Sequence, residues 1–225
     1  MIYFDNVAKS YGGHAALTDV TLGIQSGEFV SIVGKSGAGK TTLLRLLLAE
    51  EHPTSGNVFF ESTNVHRIKQ SFIPEYRRRI GTVFQDFRLL PNKTAYENIA
   101  FAMEAAGRTD EEVRSDVPQV LDLVDLASKA LHFPHELSGG EKQRVAIARA
   151  IISQPDVLIA DEPTGNLDPT NTYDIIQILK KIHDMGTTVI LTTHNKGVID
   201  SLKRRVITME GGKVVRDDPE GKYIL

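Results

Sequence analysis

The run FVSIVGKSGAGKTTLLRLLL, Phe29 to Leu48, sets an apolar segment against a glycine-rich loop and then a helix-like pattern. A short strand that is apolar on both faces belongs inside a parallel sheet covered on both sides, so this chain is expected to build an α/β core around it. The loop, Gly34 to Thr41, fits GxxxxGK[ST] and stands where that motif has a mechanism, after a strand and opening a helix. The N–H groups of Gly34, Lys35, Ser36, Gly37, Ala38 and Gly39 can form an anion nest. Lys40 reaches the outer phosphates and the Thr41 hydroxyl is a ligand for Mg²⁺, with Thr42 in the same binding loop. A tight turn with a solvated lysine is the plain alternative; the strand-loop-helix context favours a nucleoside triphosphate.

Alternation continues along the chain. Strand-like patterns run from the N-terminus to about Ile32, with a turn at Gly12-Gly13 and a hairpin-type break at Ser26-Gly27. PTSGNVFF reads as turn then strand, and RRRIGTVFQD as a strand ending near Gln85. From Phe87 to about Ser153 helical periodicity takes over, broken at HFPHELSGG. DVLIADEP and TTVILTTH are further buried strands around the amphipathic helix DPTNTYDIIQILKKIHDMG, which Gly186 stops. The C-terminal RRVITMEGGKVVRDDPEGKYI is a strand pair turning at Gly211-Gly212. One domain, 1–225, is expected: a nucleotide-binding α/β core with a mainly parallel sheet and an antiparallel β lobe over 1–86 and 154–225, and an inserted helical subdomain over 87–153.

VLIADE puts Asp161 and Glu162 at the carboxyl end of a buried strand, where ligands sit in such sheets. Asp161 is suited to hold the metal and Glu162 to act as general base on the attacking water; an acidic exit from the strand is the plainer reading. Gln85 and His194 end strands expected at the same sheet edge. Gln85 is placed to position water and metal, and His194 to donate to a γ-phosphate, though a lone Gln or His is more often structural. Tyr11 could stack on a nucleotide base, or simply pack.

LSGGEKQRVAIARA opens a helix with Ser138 and Glu141 in capping-box spacing. Gly139 and Gly140 then fall in the first turn, where each costs up to about 1 kcal/mol relative to Ala. One reason to accept that is close approach of a phosphate to bare N–H groups.

The net charge of −3 argues against a nucleic-acid partner, and the absence of cysteine excludes disulfides and thiolate metal sites. No signal peptide or bilayer-spanning run is expected, so a cytoplasmic protein acting at the membrane through a partner fits best.

These motifs, in this order, closely resemble the nucleotide-binding subunits of ABC-type ATPases over essentially the full chain. The resemblance makes Tyr11 the adenine-stacking position, GKSGAGKT the Walker A loop, Gln85 the Q-loop and LSGGE the signature. It makes VLIADE the Walker B strand with Glu162 catalytic, GNLD (Gly165 to Asp168) the D-loop, and His194 the switch histidine. It implies ATP and Mg²⁺ as cofactors, with Thr41, Gln85 and Asp161 around the metal. It also implies a head-to-tail homodimer in which Ser138, Gly139, Gly140 and Glu141 cradle the γ-phosphate held by the other copy. VFQDFRLLP and the compact C-terminus narrow the resemblance to the cell-division branch. That branch implies an integral membrane partner, regulation of cell-wall hydrolysis and division-ring proteins nearby. EPTGNLDP is shared with lipoprotein-release and macrolide-export ATPases, which are the alternative; a P-loop kinase and a nucleic-acid-directed ABC ATPase fit less well. Lys35 departs from the proline of many relatives, and its side chain is expected to point away from nucleotide. Phe84, Phe87, Leu89, Leu90 and Tyr96 are candidates for meeting the partner or for plain packing. Arg77, Arg78 and Arg79 could face headgroups, meet the partner, or form a solvated basic edge.

Overall fold

A computed structural model describes residues 2–221. Met1 and residues 222–225, the extremes of the expected 1–225 domain, lie outside the described residues. The first stretch carries β1 (Ile2–Tyr11), β2 (His14–Ile24), β3 (Phe29–Val33), α1 (Lys40–Leu47), β4 (Ser55–Phe60), β5 (Thr63–Asn64) and α2 (Ile73–Arg78). Then come β6 (Ile80–Phe84), α3 (Ala95–Ala105), α4 (Asp110–Leu123), α5 (Gly139–Ile151), β7 (Val157–Asp161) and α6 (Pro169–Asp184). The chain closes with β8 (Thr188–Thr192), α7 (Lys196–Leu202), β9 (Arg205–Glu210) and β10 (Lys213–Asp218). Two compact units result: Met1–Arg77 with Thr188–Leu225, and Arg78–Thr187.

In the first unit, β2-β1-β4-β5 form an antiparallel lobe, while β3 runs parallel to both β8 and β9. All five residues of β3 and of β8 are buried, as continuous apolar runs require. The expected break at Ser26-Gly27 is a turn, but no hairpin: β2 pairs with β1, and β3 with β8 and β9. A strand buried on both faces is stable only inside the parallel sheet, so β2 and β3 part company there. Arg205 ties this region together. Its guanidinium donates to Asp217 at 2.6 and 2.7 Å, to Glu28 at 3.0 Å and to the Gly23 carbonyl at 2.9 Å.

The arginines after Pro74 form an exposed to half-exposed basic edge, and each also holds a definite partner. Arg77 donates to the Leu48 and Ala49 carbonyls that α1 leaves open, and Arg78 donates to the Ala105 carbonyl at the end of α3. Arg79 pairs with Asp156 at 2.6 Å.

In the second unit β6 and β7 pair in parallel, in register from Ile80↔Val157 to Phe84↔Asp161. The helices α3, α4 and α5 bury Ile99 and Met103, Val117 and Leu121, and Val145 and Ile147. Each begins with the same reciprocal capping box: Thr94 with Glu97, Thr109 with Glu112, and Ser138 with Glu141. Gly81 lets β6 approach α5 closely, since a Cβ there would fall 2.4 Å from the Ala150 carbonyl oxygen. The unit is therefore wider than the helical stretch 87–153, because strand pairing and α5 packing keep β6, β7 and α6 with the helices. The first helix of the stretch begins at Ala95 rather than Phe87. Among the described residues, no helix is long and apolar enough to cross a membrane.

Candidate functional site

Between β3 and α1 the chain makes a loop that favours glycine at three positions. Gly34, Gly37 and Gly39 have φ of +155°, +80° and +102°. A Cβ on Gly34 would lie 2.3 Å from the Met209 carbonyl oxygen, and one on Gly39 2.7 Å from that of Ala16. Gly39 is the residue before α1, and no side chain caps that helix, so its first N–H groups are left for an anion. The Lys40 ammonium donates to the Gly34 carbonyl at 2.6 Å and the Lys35 carbonyl at 3.2 Å, which draws its charge over the loop. Lys35, Ser36 and Gly37 are exposed, Thr41 is exposed, and Thr42 is half-buried. Beside the loop, a cleft of about 520 Å³ is lined by Lys35 to Ala38 and by β9 and β10 residues including Met209 and Arg216.

Two further expected residues lie in this first unit. Tyr11 ends β1 and is 39% exposed, with the Lys9 ammonium 4.8 Å from its ring centre. That cation also pairs with Glu51 at 2.9 Å and holds its carboxyl below the ordinary range. His194 is exposed two residues beyond β8, in a short link to α7; Asn195 caps that helix by accepting from the Val198 N–H at 3.2 Å.

The second unit brings Gln85, Asp161, Glu162, the GNLD segment and the LSGGE segment together. Gln85 follows β6 directly, one residue beyond the strand end, and Asp161 is the last residue of β7, in register with Phe84. Glu162 takes φ +49°, rare for a residue with a Cβ, and its carbonyl accepts from the Gly165 N–H at 3.1 Å. The resulting turn presents Asn166, whose Oδ1 accepts from Gln85 Nε2 at 3.2 Å. Asp168 then caps α6, taking the Asn171 N–H at 3.0 Å, a bond that lowers its carboxyl pKa.

The start of α5 leans on the same segment. Glu141 N–H donates to the Ser138 hydroxyl at 3.2 Å, and the Ser138 N–H to the Glu141 carboxylate at 2.8 Å, which keeps that carboxyl below its usual range. The two glycines differ. Gly140 is buried, and a Cβ there would sit 1.9 Å from Asn171 Oδ1, so its smallness has a reason within this chain. Gly139 is exposed, and a Cβ there would reach only ordinary contact, 3.4 Å from Leu167.

Several supporting residues were not apparent from sequence. Arg149, near the end of α5, donates to the Arg88 carbonyl at 2.6 Å and the Phe87 carbonyl at 3.1 Å. Phe87 and Arg88 both have positive φ, so the guanidinium fixes an unusual turn beyond Gln85. The fully buried Asn98 completes it, accepting from the Leu90 N–H at 2.7 Å and donating to the Leu90, Lys93 and Thr94 carbonyls. A polar side chain on the apolar face of AYENIAFAM was the available signal for Asn98; nothing local singled out Arg149. Phe84, Phe87, Leu89, Leu90 and Tyr96 are all half-buried around this turn, and the Arg88 guanidinium sits 3.7 Å above the Phe84 ring.

The ABC transporter family model matches residues 17–165. The cell division ATP-binding protein FtsE of Bacillus subtilis is 48% identical over 224 residues, 99% of this chain and 98% of the relative. FtsE of Mycobacterium tuberculosis is 49% identical over 225 residues, again 99% of this chain and 98% of the relative. Among solved structures, the dimeric post-hydrolysis state of the ATP-binding cassette MJ0796, bound to ADP and Pi, superposes with a TM-score of 0.88 at 36% identity, covering 99% of this chain and all of that one.

Proposed function

This chain belongs to the ABC transporter family and is an ATPase of that family. From that premise we propose that it closes head to tail on a second copy around two Mg-ATP molecules, hydrolyses them, and drives an integral membrane partner resembling FtsX. The output would be bacterial cell division, through regulated cell-wall hydrolysis near division-ring proteins, with the protein held at the inner face of the membrane by its partner. The relatives named FtsE support that assignment, and the dimeric MJ0796 cassette supports a two-copy assembly.

The observation that carries the ATP reading is the uncapped α1 N-terminus behind left-handed glycines, with Lys40 drawn across it. In this reading the loop from Gly34 to Gly39 and Thr42 holds phosphates, Lys40 neutralises the outer ones, and Tyr11 stacks on the base with the face that Lys9 leaves open. Thr41, Gln85 and Asp161 offer hydroxyl, amide and carboxylate oxygens, the hard donors Mg²⁺ takes beside substrate phosphates. Gln85 fits this test: it is exposed, and its Oε1 accepts no hydrogen bond among the described residues. When bound, Mg²⁺ would offset the charge that develops on the phosphoryl oxygens. Glu162 takes a proton from the attacking water and His194 donates toward the γ-phosphate. Ser138 and Gly139 meet the other copy's nucleotide, while Gly140 and Glu141 shape the turn that presents them.

The test is the molar mass of Glu162→Gln with and without Mg-ATP. Removing the base should stop turnover and convert monomer to dimer only when nucleotide is present. A monomer at saturating ATP would overturn the sandwich and leave single-site binding.

A further inference from the structure

The turn from Glu162 to Asn166 forms a shelf against which the Gln85 amide lies. A Cβ on Gly165 would fall 2.9 Å from Gln85 Nε2 and 3.0 Å from its Cδ, so glycine is what lets the amide lie against the backbone. Gln85 Nε2 donates to Asn166 Oδ1, while Gln85 Oε1 accepts nothing among the described residues. A primary amide has one oxygen and one nitrogen at its end, and a half-turn exchanges them. Where a cation or a water proton has to find an acceptor, that half-turn would present N–H groups instead.

We propose that Asn166 is a positioning residue: by taking the Gln85 N–H, it fixes the amide with Oε1 outward as the acceptor. Three residues of one turn cooperate in this. Glu162 carries the left-handed φ, its carbonyl takes the Gly165 N–H, Gly165 clears the space, and Asn166 supplies the acceptor. The base proposed above thus sits on the same short turn that orients Gln85. The inference rests on the reading of Gln85 as a magnesium ligand, and it also makes a claim about the amide that holds without metal.

The bond's direction can be tested because Asp only accepts and Leu does neither. The first readout is the side-chain amide signal of Gln85 in glutamine-¹⁵N-labelled protein without nucleotide or metal, assigned by its loss in Gln85→Glu. In the native chain and in Asn166→Asp it should be displaced from the position of free glutamine; Asn166→Leu should return it there. The second readout is the Mg²⁺ concentration for half-maximal ATPase at fixed ATP. A single neutral hydrogen bond corresponds to a rise of roughly 2- to 10-fold in Asn166→Leu, and Asn166→Asp should restore the midpoint to within about twofold. Asn166 is exposed, so melting curves should show all three proteins folded. The proposal is overturned if the native amide signal already sits at the free position, if Asp behaves like Leu, or if Leu leaves the metal midpoint unmoved while Gln85→Ala shifts it. Gln85→Ala separates the underlying reading: should it leave the midpoint unchanged, the ligand role of Gln85 fails, while the amide signal still decides whether Asn166 orients it.

Discussion

Two glycine-rich helix starts in this molecule look alike in sequence and are built in opposite ways. At α1, three glycines adopt positive φ, no side chain caps the helix, and the first N–H groups are left open. At α5, Gly139 and Gly140 are ordinary helical residues, and Ser138 with Glu141 closes the cap. The first is a place for an anion to sit. The second is a finished helix end whose small residues set how near a neighbour can come, Asn171 inside the chain at Gly140 and an outside surface at Gly139. Glycine count does not distinguish these devices; the identity of the cap does.

The contrast can be broken at several points. Lys40→Met should produce the largest effect, weakening ATP binding by roughly 100-fold, as expected for losing charged hydrogen bonds to phosphate, with an unchanged melting temperature. A fluorescent nucleotide titration measures it, and a drop under threefold would remove Lys40 from the phosphate site. Gly140→Ala should cost about 1–3 kcal/mol by overpacking against Asn171, seen in urea unfolding. Gly139→Ala should leave stability equal or up to about 1 kcal/mol higher while weakening ATP-driven dimerisation in the Glu162→Gln background. Equal destabilisation by both would erase the distinction between the glycines. Ser138→Ala should cost about 1 kcal/mol through the lost cap without changing single-site nucleotide affinity.

The smallest effect concerns pH. Burial, with His52 and Lys9 nearby, pushes the His66 imidazole down to about 4. Because the unfolded chain protonates this ring near 6.5 and the folded chain does not, stability is complete above that value and falls as pH drops from about 6.5 toward 4. His66 is only half-buried, so screening should keep the loss under about 1 kcal/mol. Melting temperatures of His66→Gln across pH 7 to 5 should fall less than those of the native protein; parallel curves would place the titration elsewhere.

Much of this was legible in the sequence because it is written in local patterns. FVSIV and TVILT are short, mostly apolar, β-branched runs bounded by turn residues, which favours a buried strand, and GKSGAGKT carries its own geometry. The capping box at Ser138 was read correctly, yet its twins at Thr94 and Thr109 have the same spacing. What escaped depends on partners distant in sequence. Arg77, Arg78 and Arg79 read as a basic edge and are one, but each also has a definite carbonyl or carboxylate that only folding brings near. Helical periodicity reads from Phe87, yet the first helix starts at Ala95, because Arg149 and Asn98 hold Phe87 to Leu90 as a turn. Gly140 illustrates the same limit, since its reason is Asn171, 31 positions further on.

That turn has a consequence for how the protein can be recognised. Arg149 and Asn98 already occupy the peptide oxygens of Phe87, Arg88 and Leu90, and Asn98 also takes the Leu90 N–H. Any molecule that meets this surface therefore finds those peptide oxygens already engaged and a main chain held in place, which leaves most of the discrimination to side chains. An address written that way can be rewritten cheaply. Exchanging side chains between Asp86 and Leu90 would change the chemistry of this surface while the backbone beneath stays as it is.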